Sequence, residues 1–242
     1  MILEEIKRKF IEVAEDLLDE DIKIRSKPLS PSEAIGEPTR KDFPILRGKE
    51  VLMQAEFKDA VGQAFTSMPG NYEGTLREVV SLPLSNDFER AILVASMNAV
   101  LRYLGMINKT IHCKNDGPEL CGMKISKMIE EEFGSCTLGV IGLQPAIVDH
   151  CTRRMNVLVS DLSPSNIGKT KFGVKVLDGE YPEEIVKSSD VLLVTGTTVV
   201  NGTIDRIMEL ANMYQKPILF YGTTISGPAY LMGWKRVCPE ST

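Results

Sequence analysis

Apolar residues recur at Ile2, Ile6, Phe10, Val13, Ala14, Leu17 and Leu18. That spacing paints one helix face and predicts an amphipathic helix over residues 1–18. The period then shortens. Residues 22–26 and 51–57 read as strands, and between them KPLSPSEAIGEPTRKDFP carries four prolines and two turn clusters, which predict a loop. Lys58-Asp59 suits a hairpin tip returning through residues 61–66, and Ser67-Met68-Pro69-Gly70-Asn71 ends that strand. Residues 76–81 predict a short helix. Asn86-Asp87 caps a long one that runs through Leu104 and stops at Gly105. This first half reads as α+β.

After Gly105 the segment INKTIHCKNDGPELCG loses its period and gathers turn formers. A domain boundary is expected near residues 115–117, giving one domain over 1–116 and a second over 117–242. In the second half, elements alternate: a helix over about 119–133, a strand at 137–141, a helix from Pro145, strands at 156–160 and 173–176, and a helix from Pro182. Two apolar runs follow, VLLVTGTTVVNGT and ILFYGTTISGP, each ending in Gly-Thr-Thr. Continuous apolar runs separated by helices predict buried parallel strands in an α/β, doubly wound sheet. Ligands of such sheets bind beyond the carboxyl ends of the strands, where these hydroxyls would lie.

The candidate chemistry therefore gathers at strand ends. Gly139-Val140-Ile141-Gly142-Leu143-Gln144-Pro145 occupies the first strand-to-helix turn without completing G-x-G-x-x-G, and Pro145 suits a first helical position whose free N–H groups favour an anion. Asp161 ends the next strand about 20 residues on, where an acidic residue can accept ribose hydroxyls. Thr195, Gly196, Thr197, Thr198, Asn201 and Thr203 from one loop are expected to face Gly222, Thr223, Thr224 and Ser226 from the next, as donors to phosphate, carboxylate or polyol oxygens. Asn98 interrupts the apolar AILVASMNAVL and, if buried, needs backbone or a ligand as partner. The candidate ligand set is Asn98, Gly142, Gln144, Pro145, Asp161, Gly196, Thr197, Thr198, Asn201, Thr203, Gly222, Thr223 and Thr224.

Composition narrows the class. A hydrophobic share of 43% with 25% charged residues in 242 is that of a globular chain with a sizeable core. The balance of 28 Lys+Arg against 33 Asp+Glu, net −5, supplies no basic footprint for nucleic acid or an anionic membrane. No apolar run is long enough to span a bilayer and the charged start MILEEIKRKF is unlike a signal peptide, so a cytoplasmic protein is expected. Five cysteines at no framework spacing point to free thiols. The two histidines each precede a cysteine, His112-Cys113 and His150-Cys151, and with Cys121 the first pair makes a candidate soft-metal set whose spacing is unusual for zinc. No nucleophilic triad, P-loop or diagnostic carboxylate pair is present, so whether the chain is an enzyme stays open.

IGLQPAIVDH, SDLSPSNIG, DVLLVTGTTVVNGTIDRIMEL and ILFYGTTISGPAYLMGWKRV together resemble the Rossmann-like domain of a heavy-metal-chelation family of unknown function. ERAILVASMNAVLRY is similar to the Asn-Ala helix of that family's companion, an enolase N-terminal-like domain. The resemblance implies a site in the cleft between the domains, on Gly142, Pro145, Asp161, Gly196, Thr197, Asn201 and Gly222 to Thr224. The chain departs from the family where relatives often have Gly-Pro-Ser-Thr-Pro and it has Gly222-Thr223-Thr224-Ile225-Ser226. The expectation is a protein that holds a small anionic or metal-chelating metabolite, with a metal or metal chelate among its partners, a homo-oligomer allowed and no cofactor assigned. The alternative is an enzyme using NAD(P) or S-adenosylmethionine at the same sheet edge.

Overall fold

The structure, a computed structural model, describes residues 1–19, 23–48 and 50–242. The amino-terminal half holds α1 (Ile2–Val13), β1 (Lys23–Pro28), α2 (Pro31–Ile35), β2 (Val51–Phe57), β3 (Ala60–Thr66), β4 (Tyr72–Thr75), α3 (Leu76–Val80) and α4 (Asp87–Tyr103). Its strands form an antiparallel sheet in the order β3-β2-β1-β4. The expected hairpin is present, with Phe57 opposite Ala60 across a two-residue turn. Ile22 of the first expected strand lies outside the described residues. The proline-rich segment is more ordered than its composition suggests. Ser30 and Glu33 form a reciprocal capping box around the single turn of α2, and a 3-10 turn spans Pro44–Arg47. β4 was hidden behind the turn residues that precede it.

From Gly117 the chain alternates α5 (Gly117–Phe133), β5 (Thr137–Ile141), α6 (Pro145–Thr152), β6 (Asn156–Asp161), β7 (Thr170–Lys171), β8 (Val174–Asp178), α7 (Glu183–Ser188), β9 (Val191–Thr195), α8 (Thr197–Val200), α9 (Ile204–Met213), β10 (Ile218–Tyr221), α10 (Ser226–Met232) and β11 (Arg236–Val237). They build a seven-stranded sheet, β11-β10-β9-β5-β6-β8-β7, parallel except where β7 returns along β8. Alternate residues of β9 go to opposite faces: Val191 and Leu193 pack with α5 and α6, Leu192 and Val194 with α7 and α9. Burial on both faces explains why β5, β6 and β9 read as unbroken apolar runs. The molecule is mixed α/β, as expected, with a two-residue hairpin β7 and a short β11 that the pattern did not mark.

Helix α4 joins the two sheets. Every residue from Ala91 to Leu101 is buried, because one side of the helix lies on β2 and β3 and the other meets α8 and α10. Gly62 makes that approach feasible: a Cβ there would stand 2.2 Å from the Ala99 backbone nitrogen. The largest apolar cluster accordingly runs without a break from α1 through α4 to β9, β10 and α9. A second tie closes one rim. Arg40 binds Glu119 of α5 at 2.7 Å and Asp149 of α6 at 2.5 Å, and His150 Nε2 lies 2.8 Å from Glu119 Oε1. Among the described residues no helix is long and apolar enough to cross a membrane.

Candidate functional site

Strand β5 has β6 on one side and β9 on the other, so the winding of the sheet reverses beside it. Carboxyl ends diverge at such a point and leave a crevice. Here the crevice widens into a cavity of 780 Å³, lined by residues following β5, β6, β9 and β10 and by Phe43, Ile45, Glu50 and Phe65 of the amino-terminal half.

The first turn is built on Gly142. Its φ is +92°, and a Cβ would come within 2.6 Å of Thr195 Cγ2. Its N–H donates to Ser160 O at 2.9 Å and its carbonyl accepts from the Tyr221 hydroxyl at 2.8 Å, which ties β5 to β6 and β10. Gln144 caps α6 by accepting from Ile147 N at 2.6 Å, ahead of Pro145 at the first helical position. Asp161 accepts from Leu143 N at 2.9 Å, Ser163 N at 2.7 Å and Asn166 Nδ2 at 3.2 Å, and so braces two loops at the cavity edge. The helix start and the carboxylate expected to meet a ligand are thus already engaged with their own loops.

The first Gly-Thr-Thr loop forms one wall. Gly196, Thr197, Thr198, Asn201 and Thr203 all line the cavity. Thr197 Oγ1 lies 3.0 Å from Thr195 Oγ1, Thr198 Oγ1 donates to Thr195 O at 2.8 Å, and Asn201 Oδ1 accepts from Thr203 Oγ1 at 2.8 Å. In the second loop, Gly222 and Thr224 reach the lining. Thr224 Oγ1, however, accepts from Phe65 N at 3.0 Å, and Thr223 is fully buried outside the lining with its hydroxyl unpartnered. Asn98 also stands outside. Its Nδ2 is shared among Gln63 O (2.9 Å), Thr223 O (3.2 Å) and Thr224 O (3.3 Å), and its Oδ1 accepts from Gly227 N at 2.7 Å. Asn98 and Thr223 thus lie apart from the cavity: α4 and the turn before α10 are packed against each other, and these polar groups sit in that seam.

Three cavity groups were not marked by the sequence. Glu50, the residue before β2, turns its carboxyl into the cavity with neither a hydrogen bond nor an ion pair to any described residue. Enclosure by protein, then the nearby Asp161 charge, push its pKa up to about 7. Ser160 Oγ and Asp42 Oδ1 are likewise buried in the lining and unpartnered. A glutamate two residues after Gly48 in a polar stretch reads as solvated surface. Only the cavity that brings it together with Ser160 and Asp161 changes that.

At the cysteines, His112 Nδ1 lies 2.7 Å from Cys113 O, and burial outweighs that contact to hold the imidazole pKa down to about 4. The ring is therefore neutral at physiological pH and stands edge-on to Phe65 at 5.3 Å. Among the described residues no group of three His, Cys, Asp or Glu side chains converges to hold a metal ion, so the set His112, Cys113 and Cys121 does not form a cage.

Residues 125–227 match the DUF364 family, described as "Putative heavy-metal chelation". The DUF364 segment runs from α5 to the start of α10, so it contains the first Gly-Thr-Thr wall and leaves out Glu50, Cys113 and Cys238. Two solved DUF364 proteins of unknown function share the fold. One from Pyrococcus horikoshii is 21% identical with a TM-score of 0.57, over 93% of this chain and 79% of that one. The other, from Desulfitobacterium hafniense DCB-2, is 17% identical with a TM-score of 0.55, over 95% and 82%. No curated protein matches the chain.

Proposed function

We propose that this chain binds a small, oxygen-rich metabolite in the 780 Å³ cavity, free or as a metal chelate, between an amino-terminal domain (1–116) and a Rossmann-like one (117–242). The supporting observation is a trio of polar groups on its wall with no hydrogen-bond partner among the described residues: Glu50, Ser160 Oγ and Asp42 Oδ1, the other Asp42 oxygen lying 3.5 Å from Arg40. Each buried polar group left without a partner costs about 1–3 kcal/mol, and a ligand donor placed there recovers it. The lining carries Asp42, Glu50, Asp87 and Asp161 with Arg47 and Lys171, and Asp42 and Asp87 are paired with Arg40 and Arg90. The carboxyl of Glu50 beside Asp161 suits a polyol, an amine or an anion arriving with its metal ion. The reading favours a binding role over an NAD(P) or S-adenosylmethionine enzyme, because Asp161 already accepts from three N–H donors and Gln144 already caps α6.

Calorimetric titration with nucleotides, phosphosugars, pterins and tetrapyrroles, each with and without a divalent cation, tests this. Binding should require Glu50 and Ser160, with Glu50→Gln and Ser160→Ala each weakening it about tenfold or more. A ligand that binds both variants as it binds the wild type would place its site elsewhere.

A further inference from the structure

One wall of the cavity is a single thickness of chain. Asp42, Phe43, Pro44 and Ile45 line it, while Thr39, Lys41 and Arg47 of the same stretch are exposed to solvent. Among the described residues, no backbone–backbone hydrogen bond ties residues 37–42 to another element. Side chains hold them instead. Glu37 N donates to Asn115 Oδ1 and Thr39 N to Asp116 Oδ1, both at 3.0 Å. Arg40 reaches Glu119 at 2.7 Å, Asp149 at 2.5 Å and Asp42 at 3.5 Å. Partly exposed contacts of this kind contribute little each, so they release before a buried sheet does.

Glycines stand at both ends of the stretch. Gly36 follows α2 with φ +63°, and Gly48 follows the Pro44–Arg47 turn with φ +67°. Residues at the ends of elements, free in backbone conformation, are where a moving segment takes up its change in φ and ψ. Between them the apolar side faces inward: Phe43 and Ile45 pack in one cluster with Ile35, Leu52 and Ala146 of α6. Across the rim lies a second, independent observation. β7 and β8 join through the two-residue turn Phe172-Gly173, whose φ values are +49° and +82°. Such turns favour Asn-Gly, and a bulky aromatic residue in that conformation is strained. Phe172 nevertheless stands there, lining the cavity with its ring centroid 5.6 Å from Arg40 Cζ.

We propose that residues 36–48 are a strap that swings on Gly36 and Gly48, latched shut by Arg40 against Glu119, Asp149 and the Phe172 ring. Closed, the strap completes the cavity wall with Phe43 and Ile45. Open, it admits molecules from solvent. Its use as the entry for a metabolite rests on the reading of the cavity given above. The motion itself is measured without any metabolite, so either proposal can fail alone.

The probe is iodoacetamide on the full chain, with alkylation of each cysteine followed by peptide mass spectrometry. Cys113 and Cys121 are buried and line the cavity, whereas Cys151 is fully buried outside the lining and reports unfolding. Arg40→Gln and Phe172→Asn should each speed alkylation of Cys113 and Cys121 about tenfold or more and leave Cys151 unchanged. Hydrogen exchange on the wild type needs no variant: the Glu37 and Thr39 amides should exchange through an opening that leaves the amides of β5 and β9 protected. Equal alkylation of Cys113 and Cys121 in the wild type and both variants would overturn the strap. So would acceleration only in step with Cys151, or exchange at Glu37 and Thr39 only as the sheet unfolds.

Discussion

The two Gly-Thr-Thr loops are written in the same letters and do different work. Gly196-Thr197-Thr198 opens onto the cavity, its hydroxyls bonded among themselves and to Thr195. Gly222 and Thr224 still touch the cavity, but Thr223 and Thr224 are drawn into the seam where Asn98 gathers Gln63, Thr223, Thr224 and Gly227 into one buried set. What separates them is the neighbour that lies above each strand end. β9 ends beneath the open crevice at the switch of winding, whereas the chain after β10 meets α4 and β3. Asn98→Ala should sharpen that contrast most. It strips partners from several fully buried backbone groups at once, so about 3–5 kcal/mol of stability should be lost in urea unfolding. A loss below about 1 kcal/mol would mean that the seam is wet or loosely packed.

Glu50→Gln acts on the cavity side of the comparison and has the opposite sign. In the unfolded chain Glu50 titrates near 4.5, and in the folded protein near 7. Between those values the folded state keeps a proton that the unfolded state has released, so wild-type stability falls as pH rises through that window and levels off above it. Glutamine does not titrate. The variant should match the wild type at pH 4 and exceed it by roughly 2 kcal/mol at pH 8, a figure kept modest because the carboxyl faces an open cavity. Thermal unfolding across pH 4 to 8 measures it, and parallel curves would show that Glu50 is solvated or paired. His112 slopes the other way: its pKa is depressed to about 4, so its contribution is full above about 6.5 and is lost as pH falls toward 4.

These effects mark how far the sequence could be read. The apolar runs at β5, β6 and β9 and the capped helix α4 were legible because burial on both faces of a sheet, or on all sides of a helix, leaves no polar positions to blur the pattern. The wall at residues 196–203 was legible for a related reason, since hydroxyls just past a buried strand have few places to go. Asn98 was legible as a buried polar residue, and its partners were not, because Gly227 is brought to it by a helix more than a hundred residues away. Glu50 and Cys238 carried no local mark at all. Their surroundings come from the cavity that joins Glu50 to the strand ends of the parallel sheet and from the tail returning to Ile111. Thr224→Val tests the middle ground: it keeps the volume and deletes the bond to Phe65 N, and should cost about 1–2 kcal/mol.

Thr197→Val should have the smallest effect on stability and decides what the twin loops have in common. Thr197 is only partly buried, and its hydroxyl bonds to the hydroxyl of Thr195, which keeps Thr197 N as a neighbour at 3.4 Å when the partner is removed. A β-branched replacement suits the backbone there, so unfolding free energy should move by less than about 0.5 kcal/mol. Metabolite binding, in contrast, should weaken tenfold or more, because the lost hydroxyl leaves a ligand oxygen without its donor in an enclosed site. A stability loss as large as that of Thr224→Val, with affinity intact, would make the first loop a structural seam like the second, and would leave the cavity wall to Glu50, Ser160 and Asp42 alone.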